Sequence, residues 1–390
     1  MIDNKESAKG FNTRAIHAGH EADAATGAVI PPIYATSTYV QEAPGKNKGF
    51  DYSRSNNPTR FAFERAVVAL EHGTDGFAFA SGMAAISAVT ELLEAGSHII
   101  AMDDIYGGTY ALFEKVKRRS AQLEVSYVDL TDINNLTAAL RPNTRMIWVE
   151  TPTNPLLKIV DMTALVTVAK KHSLLTVVDN TLASPWIQQP LTQGIDIVVH
   201  SATKYINGHS DVIGGVVVVG HKDLANSMRT IQELTGGISS PFENFLMHRG
   251  MKTLGLRMQR HCDNAMRIAE WAVKRAEITQ VIYPGLPSHP QHALARWQMR
   301  GNFGGMVTIV MKGGLKAAVN VTQNCKVFTL AKSLGGVESL IGHPATMTHS
   351  FIPREVREKN GITDGLLRLS VGIEDVEDLI GDLEQALKNI

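Results

Sequence analysis

The chain has 390 residues, is 44% apolar and balances 38 Lys and Arg against 38 Asp and Glu. Such a chain is long enough for about two to three globular domains, and with zero formal charge it has no electrostatic reason to seek nucleic acid or an anionic membrane, leaving small molecules as the expected partners. Two cysteines outside any CxxC pair, Cys262 and Cys325, argue against a zinc ribbon or disulfide framework, and a polar opening without a secretory or membrane-length apolar run makes the cytoplasm the expected location.

Residues 1–60 are rich in Gly, Pro, Ser and Asn, with Pro31-Pro32 blocking a helix, and read as an irregular arm. From Phe61 the pattern becomes alternating helices and short apolar strands. Glu64 to Glu71 predicts a helix ending at Gly73, and Phe77 to Ala80 a strand. Ser81-Gly82-Met83-Ala84-Ala85 then opens an Ala-rich helix. Four further apolar runs stop at polar residues: His98–Met102 at Asp103-Asp104, Met146–Val149 at Glu150, Leu174–Val178 at Asp179, and Ile195–Val199 at His200-Ser201. Near-continuous Val/Ile runs mark strands buried on both faces, so the fold class is α/β with a mostly parallel sheet and helices on both faces. Sheets of this kind bind ligands beyond the carboxyl ends of their strands.

The pattern from Glu243 through Arg275 predicts linking helices. A second α/β segment follows, with strands at Met306–Met311, Lys326–Leu330 and Leu366–Val371 and a last acidic helix from Glu374 to Leu387.

Four features at strand ends carry chemistry. Ser81-Gly82-Met83 turns a strand into a helix, where exposed N–H groups and the positive end of the dipole make an anion cup. By itself this is also an ordinary Ser N-cap. His200-Ser201-Ala202-Thr203-Lys204-Tyr205 places two hydroxyls and a lysine within four residues. The hydroxyls suit a phosphate, and a desolvated lysine suits a Schiff base; the competing reading is a surface turn with a solvated lysine. Asp179 could hold a protonated ring nitrogen, as a pyridoxal pyridinium requires, or simply cap a helix. Tyr106 could lie on a cofactor ring or be a loop aromatic. Taken together, phosphate cup, aromatic cover, carboxylate and hydroxyl-flanked lysine make up a pyridoxal 5'-phosphate (PLP) site.

Other chemistries fit less of the chain. Ser201-Ala202-Thr203-Lys204 also spells S-x-x-K, but the S-D-N and K-T-G partners of a serine acyl-enzyme are absent. No G-x-G occurs, so there is no dinucleotide fingerprint. His17-Ala18-Gly19-His20-Glu21 brings two histidines close, but the glycine and Pro-rich context argue against a single ligating helix face. No metal is expected.

From about Phe11 to the C-terminus the chain resembles the Cys/Met-metabolism PLP enzymes, the family of cystathionine γ-synthases, γ-lyases, β-lyases and methionine γ-lyases. The resemblance is carried by Asp179-Asn180-Thr181 and by Ser201 through Asp211. Tyr52 through Thr59, Glu150 through Pro155 and Ser333-Leu334-Gly335-Gly336 support it.

The resemblance implies the type I, aspartate aminotransferase-like PLP transferase fold. It divides the chain into an arm at 1–60 that contributes to a neighbouring subunit, a large PLP-binding domain at 61–256 and a smaller C-terminal α/β domain at 257–390. It implies that Lys204 carries the cofactor and acts as base, that Asp179 pairs the ring nitrogen, and that Tyr106 stacks on the ring and assists proton transfer. Gly82, Met83, Ser201 and Thr203 should hold the phosphate, with Tyr52 and Arg54 reaching it from a neighbouring subunit in a homo-oligomer, a dimer of dimers. Asn154 and Arg368 should bind the substrate's α-carboxylate, with Ser333 oriented towards Lys204; the planar fork of Arg368 suits a bidentate grip.

Three positions depart from the usual pattern. Gly108 stands where methionine γ-lyases carry a cysteine, Lys332 where γ-synthases and many γ-lyases carry a glutamate, and Ala111 where those enzymes often carry an arginine. The implied function is a carbon–sulfur lyase acting on cystathionine, with γ- versus β-cleavage open and γ-synthesis as the alternative. Lys332 is the candidate for the substrate's distal carboxylate.

Overall fold

Asn57 starts the first long helix. Its Oδ1 accepts from the N–H groups of Thr59 and Arg60 at 3.0 and 3.2 Å, and Pro58 occupies the first helical position, where its missing N–H costs nothing. The computed structural model describes residues 9–388 and contains this helix as Pro58–Glu71, closed by His72 in the left-handed conformation. It therefore begins six residues before the expected Glu64, inside the stretch expected to be irregular: Asn57 is a cap and Pro58 an N1 proline. The arm expected to be irregular also contains a helix, α1 (Phe11–His17); the Pro58–Glu71 helix is α2, and Gly82–Thr90 is α3.

In chain order the strands are β1 (Asp75–Phe79), β2 (His98–Met102), β3 (Glu124–Val128), β4 (Thr144–Glu150), β5 (Leu175–Asp179), β6 (Ile197–His200) and β7 (Gly215–Val219). Later in the chain come β8 (Ile278–Ile282), β9 (Met306–Met311), β10 (Thr329–Leu330), β11 (Leu340–Gly342) and β12 (Leu366–Ser370). The chain divides into two units, one built from residues up to Leu93 with Gln189–Gly255, the other from Glu94–Gln188 with residues from Leu256 on.

In the first unit the strands lie in the order β1-β7-β6, and β7 is antiparallel to both neighbours. Its run of buried valines, Val216 to Val219, follows two glycines. α2 packs beside β1, and Glu64 from α2 accepts the Ala78 N–H at 2.8 Å.

In the second unit one set of strands runs β5-β4-β2-β3, every pair parallel. Their carboxyl ends, Asp103-Asp104, Glu150 and Asp179, therefore share one edge. The other set runs β10-β11-β12-β9-β8. Val307 and Ile309 of β9 and Leu367 and Leu369 of β12 form a core with Ala265, Ile268, Leu379 and Leu383 from flanking helices. Of the expected Lys326–Leu330 strand only the exposed pair Thr329-Leu330 is extended; the backbone N–H groups of Lys326, Val327 and Phe328 instead turn onto the Asp382 carboxylate. Among the described residues no helix is long and apolar enough to cross a membrane.

Candidate active site

The predicted residues fall into two sets, one in each unit. In the first unit, Ser81 caps α3, its Oγ accepting the Ala84 N–H at 3.0 Å. The N–H groups of Gly82 and Met83 lie in the first helical turn and have no acceptor within the helix. Gly82 packs against Ser201: a Cβ on it would lie 2.9 Å from Ser201 Cβ. Ser201, which follows β6, opens a turn in which Lys204 N–H donates to the Ser201 carbonyl at 3.1 Å, and Gly208 N–H to the Lys204 carbonyl at 2.7 Å. Thr203 Oγ1 accepts the Gly214 N–H at 3.0 Å, which ties the turn to the start of β7.

One residue before Ser201, His200 Nε2 meets Glu71 Oε1 at 2.6 Å, both side chains fully buried. Sequence reasoning gave this pair no role; only their positions at the end of a strand and the end of a helix hinted at it. Around Gly82, Met83, Ser201 and Thr203 the donors are backbone N–H groups and hydroxyls, with a lysine in the same turn. That donor set suits a phosphate joined to an aldehyde.

Tyr52 and Arg54 are exposed. Arg54 Nη1 donates to the Glu233 carbonyl at 2.5 Å, and its guanidinium lies 5.6 Å from the Tyr52 ring centre. His17 and His20 line a cavity with Lys9, Thr13 and Glu21, and the His20 ring meets that of His248 edge-on at 4.8 Å. Among the described residues no group of three or more His, Cys, Asp or Glu could hold a metal ion.

In the second unit, Asp179 is buried at the end of β5 and accepts the Thr181 N–H at 3.0 Å. Glu150 is its register partner on β4 and accepts the Tyr106 N–H at 2.8 Å through Oε2. Burial raises the Tyr106 hydroxyl above its ordinary range; Glu150 and Asp179 push the same way, Arg368 the other. Asp104 takes Thr153 Oγ1 at 2.5 Å and the Leu156 N–H at 3.0 Å. Burial still pushes its carboxyl up to about 7.

Arg368 donates through Nη1 to Asn154 Oδ1 at 3.0 Å and through Nη2 to the Ser333 carbonyl at 2.7 Å. The structure thus brings together three residues far apart in sequence. Ser333 sits at φ 100°, between Leu334 and the exposed Lys332. His349, unnoticed in the sequence, is fully buried and bonds the Asn154 carbonyl through Nε2 at 2.9 Å. Burial and then Arg368 lower its imidazole to about 4, so it is neutral at physiological pH. Gly108 and Ala111 lie in α4 (Gly107–Ala111), which runs into a π-helix at Leu112–Lys117, a distortion frequent at functional sites. A carboxylate row with one buried guanidinium fits a protonated ring nitrogen and a substrate carboxylate.

The model of the family described as "Cys/Met metabolism PLP-dependent enzyme" matches residues 12–388. A cystathionine beta-lyase of Coxiella burnetii is 55% identical over 388 residues, covering 99% of this chain and 100% of the relative. A cystathionine gamma-synthase of Mycobacterium bovis is 50% identical over 377 residues, 96% of each chain. Among solved structures, cystathionine gamma-lyase from Lactobacillus plantarum complexed with L-serine superposes with a TM-score of 0.95 at 46% identity, covering 98% of this chain and 99% of that one.

Proposed function

The chain belongs to the Cys/Met-metabolism PLP-dependent enzymes, with their type I α/β fold, and from that membership we propose that it is a carbon–sulfur lyase acting on cystathionine. The observation that carries this reading is the 55% identity, along the full length of both chains, with a relative named cystathionine beta-lyase. The 50% identity with a relative named cystathionine gamma-synthase favours a second reading, synthesis of cystathionine from an O-activated homoserine and cysteine.

When bound, PLP supplies an electron sink for charge developing at the substrate's Cα. The protein's part is positioning and proton transfer. In this proposal the first-turn N–H groups of Gly82 and Met83 and the hydroxyls of Ser201 and Thr203 grip the phosphate. Lys204 Nζ would hold the aldehyde and would serve as the base for the Cα proton. Asp179 would keep the ring nitrogen protonated, and Tyr106 would cover the ring and assist the proton's transfer. The pairing of Arg368 with Asn154 and the Ser333 carbonyl supports a preset grip on the α-carboxylate. Exposed Lys332 meets the distal carboxylate. We further assign residues 1–60 as an arm reaching a neighbouring subunit, 61–256 as the cofactor domain and 257–390 as the C-terminal domain, in a cytoplasmic homo-oligomer.

Incubation of the PLP-loaded protein with cystathionine tests the reading. Pyruvate with homocysteine reports β-cleavage, and 2-oxobutyrate with cysteine reports γ-cleavage. Lys332→Ala should raise KM for cystathionine several-fold, about the worth of one exposed charge contact, and leave kcat unchanged. If neither oxo acid forms, but O-activated homoserine and cysteine yield cystathionine, the lyase assignment gives way to the synthase.

A further inference from the structure

Glu150 is 2% exposed, and the roles proposed above leave it unused. Two placements define it. It ends β4 in direct register with Asp179 on the parallel neighbour β5, so the two carboxyls leave the sheet on the same face. Its Oε2 also accepts the N–H of Tyr106 at 2.8 Å. Tyr106 is the N-cap of α4, a helix with no side-chain cap of its own, so Glu150 is what holds the backbone of the aromatic residue at its start.

Two carboxylates side by side in a buried place cannot both be ionised cheaply, because each has lost hydration and repels the other. Asp104, itself buried, adds a third acidic group at the same edge. Arg368 is a cation that acts on Glu150, and its guanidinium is already bonded to Asn154 and Ser333. The carboxyl of Glu150 is accordingly raised well above its ordinary range, by burial first and by Asp179 second.

We propose that Glu150 is a positioning residue: an uncharged carboxyl that seats Tyr106 through its backbone N–H and leaves Asp179 the anion of the pair. The proposal rests on the PLP reading for what Tyr106 and Asp179 do. It makes different demands on charge and on shape, and these can be separated. Glu150→Gln keeps an oxygen acceptor of the same reach and carries no charge. Glu150→Met keeps the bulk and loses the acceptor.

The experiment titrates cofactor-free protein with PLP and follows the visible absorbance and circular dichroism of the bound cofactor, with far-ultraviolet dichroism and thermal melting as controls on folding. Glu150→Gln should match wild type in PLP affinity and visible dichroism within about twofold. Glu150→Met should bind PLP about tenfold more weakly, the scale of one lost buried hydrogen bond, and should change the visible dichroism while still melting cooperatively. Glu150→Asp, one methylene short of the Tyr106 N–H, gives the same readout if the Met variant does not fold. The infrared spectrum of the cofactor-free protein at neutral pH should contain a protonated-carboxyl band that Glu150→Gln removes.

Equal damage from Gln and Met overturns the uncharged state, as does absence of that infrared band. Wild-type behaviour of both Met and Asp overturns the seating role. Failure of wild type to develop any visible band with PLP would sink the cofactor reading instead, and the infrared result would still judge the charge of Glu150 by itself.

Discussion

Asp104 illustrates how burial, with the Asp103 charge pushing the same way, can set a protonation state. Its two hydrogen bonds, from Thr153 and the Leu156 N–H, favour the anion, yet desolvation outweighs them and pushes the group up to about 7 from an ordinary 3.8. In the unfolded chain the carboxyl loses its proton near pH 4; in the folded chain it keeps it until about pH 7. Its contribution to stability is therefore fully present below pH 4, declines between pH 4 and 7 and is gone above that. Asn at this position offers the same acceptor oxygen with no charge to bury. The melting temperature of Asp104→Asn should thus gain on that of wild type as the pH is raised from 5 to 8. A gap that stays constant across that interval would show that the buried carboxyl does not titrate there.

At the scale of elements, glycines separate close approach from idle flexibility. Gly82 begins α3 with Ser201 packed against its Cα, and an added Cβ would lie 2.9 Å from Ser201 Cβ. Gly381 lies inside the helix Val376–Leu387, and nothing stands within 4 Å of where its Cβ would be. The same Gly→Ala change should therefore have opposite signs. Gly381→Ala should stabilise the protein by about 0.5–1 kcal/mol. Gly82→Ala should destabilise it by about 1–3 kcal/mol through overpacking, and should weaken PLP binding by moving the helix start from the Ser201 turn. Denaturant titration of both variants gives the two signs, and a loss at Gly381 or a gain at Gly82 would refute the distinction.

Elements whose apolar period stands alone were legible in the chain: β2 and β9 run over the predicted residues, and β4, β5 and β12 agree within two residues at each end. Where a residue type serves two conformations, pattern misled. Asn57-Pro58 falls in the stretch read as an irregular arm and is a capped helix start. The strand ends that carry Asp179 and Ser201 could be found because each Val/Ile run stops at a polar residue. The bonding of Arg368 to Asn154 and of His349 to the Asn154 loop depends on contacts 214 and 195 positions apart, which no local period encodes.

For the whole molecule, the first unit leaves many apolar side chains in water. Val29 is 77% exposed, Val40 93%, Ile213 64%, Leu234 76% and Phe242 59%. Exposed apolar side chains of this size offer surface that a second copy could cover, as the homo-oligomer proposed above requires. Tyr52 and Arg54 belong to the same unit and are exposed in the single chain, as residues serving a neighbour's cofactor would be. A closed two-fold arrangement then makes a specific demand. On the proposed roles, Arg54→Ala should damage the site of the neighbouring subunit, whereas Lys204→Ala should damage the subunit's own. In a mixed dimer one site carries both lesions and the other carries neither. Random mixing of the two inactive variants puts about half of the dimers in that mixed state, so about a quarter of wild-type activity should return. The measurement is made at limiting PLP, after unfolding and refolding the variants together. Activity no greater than the sum of the separately refolded parents would mean that Arg54 serves its own chain, and the shared site would have to be abandoned.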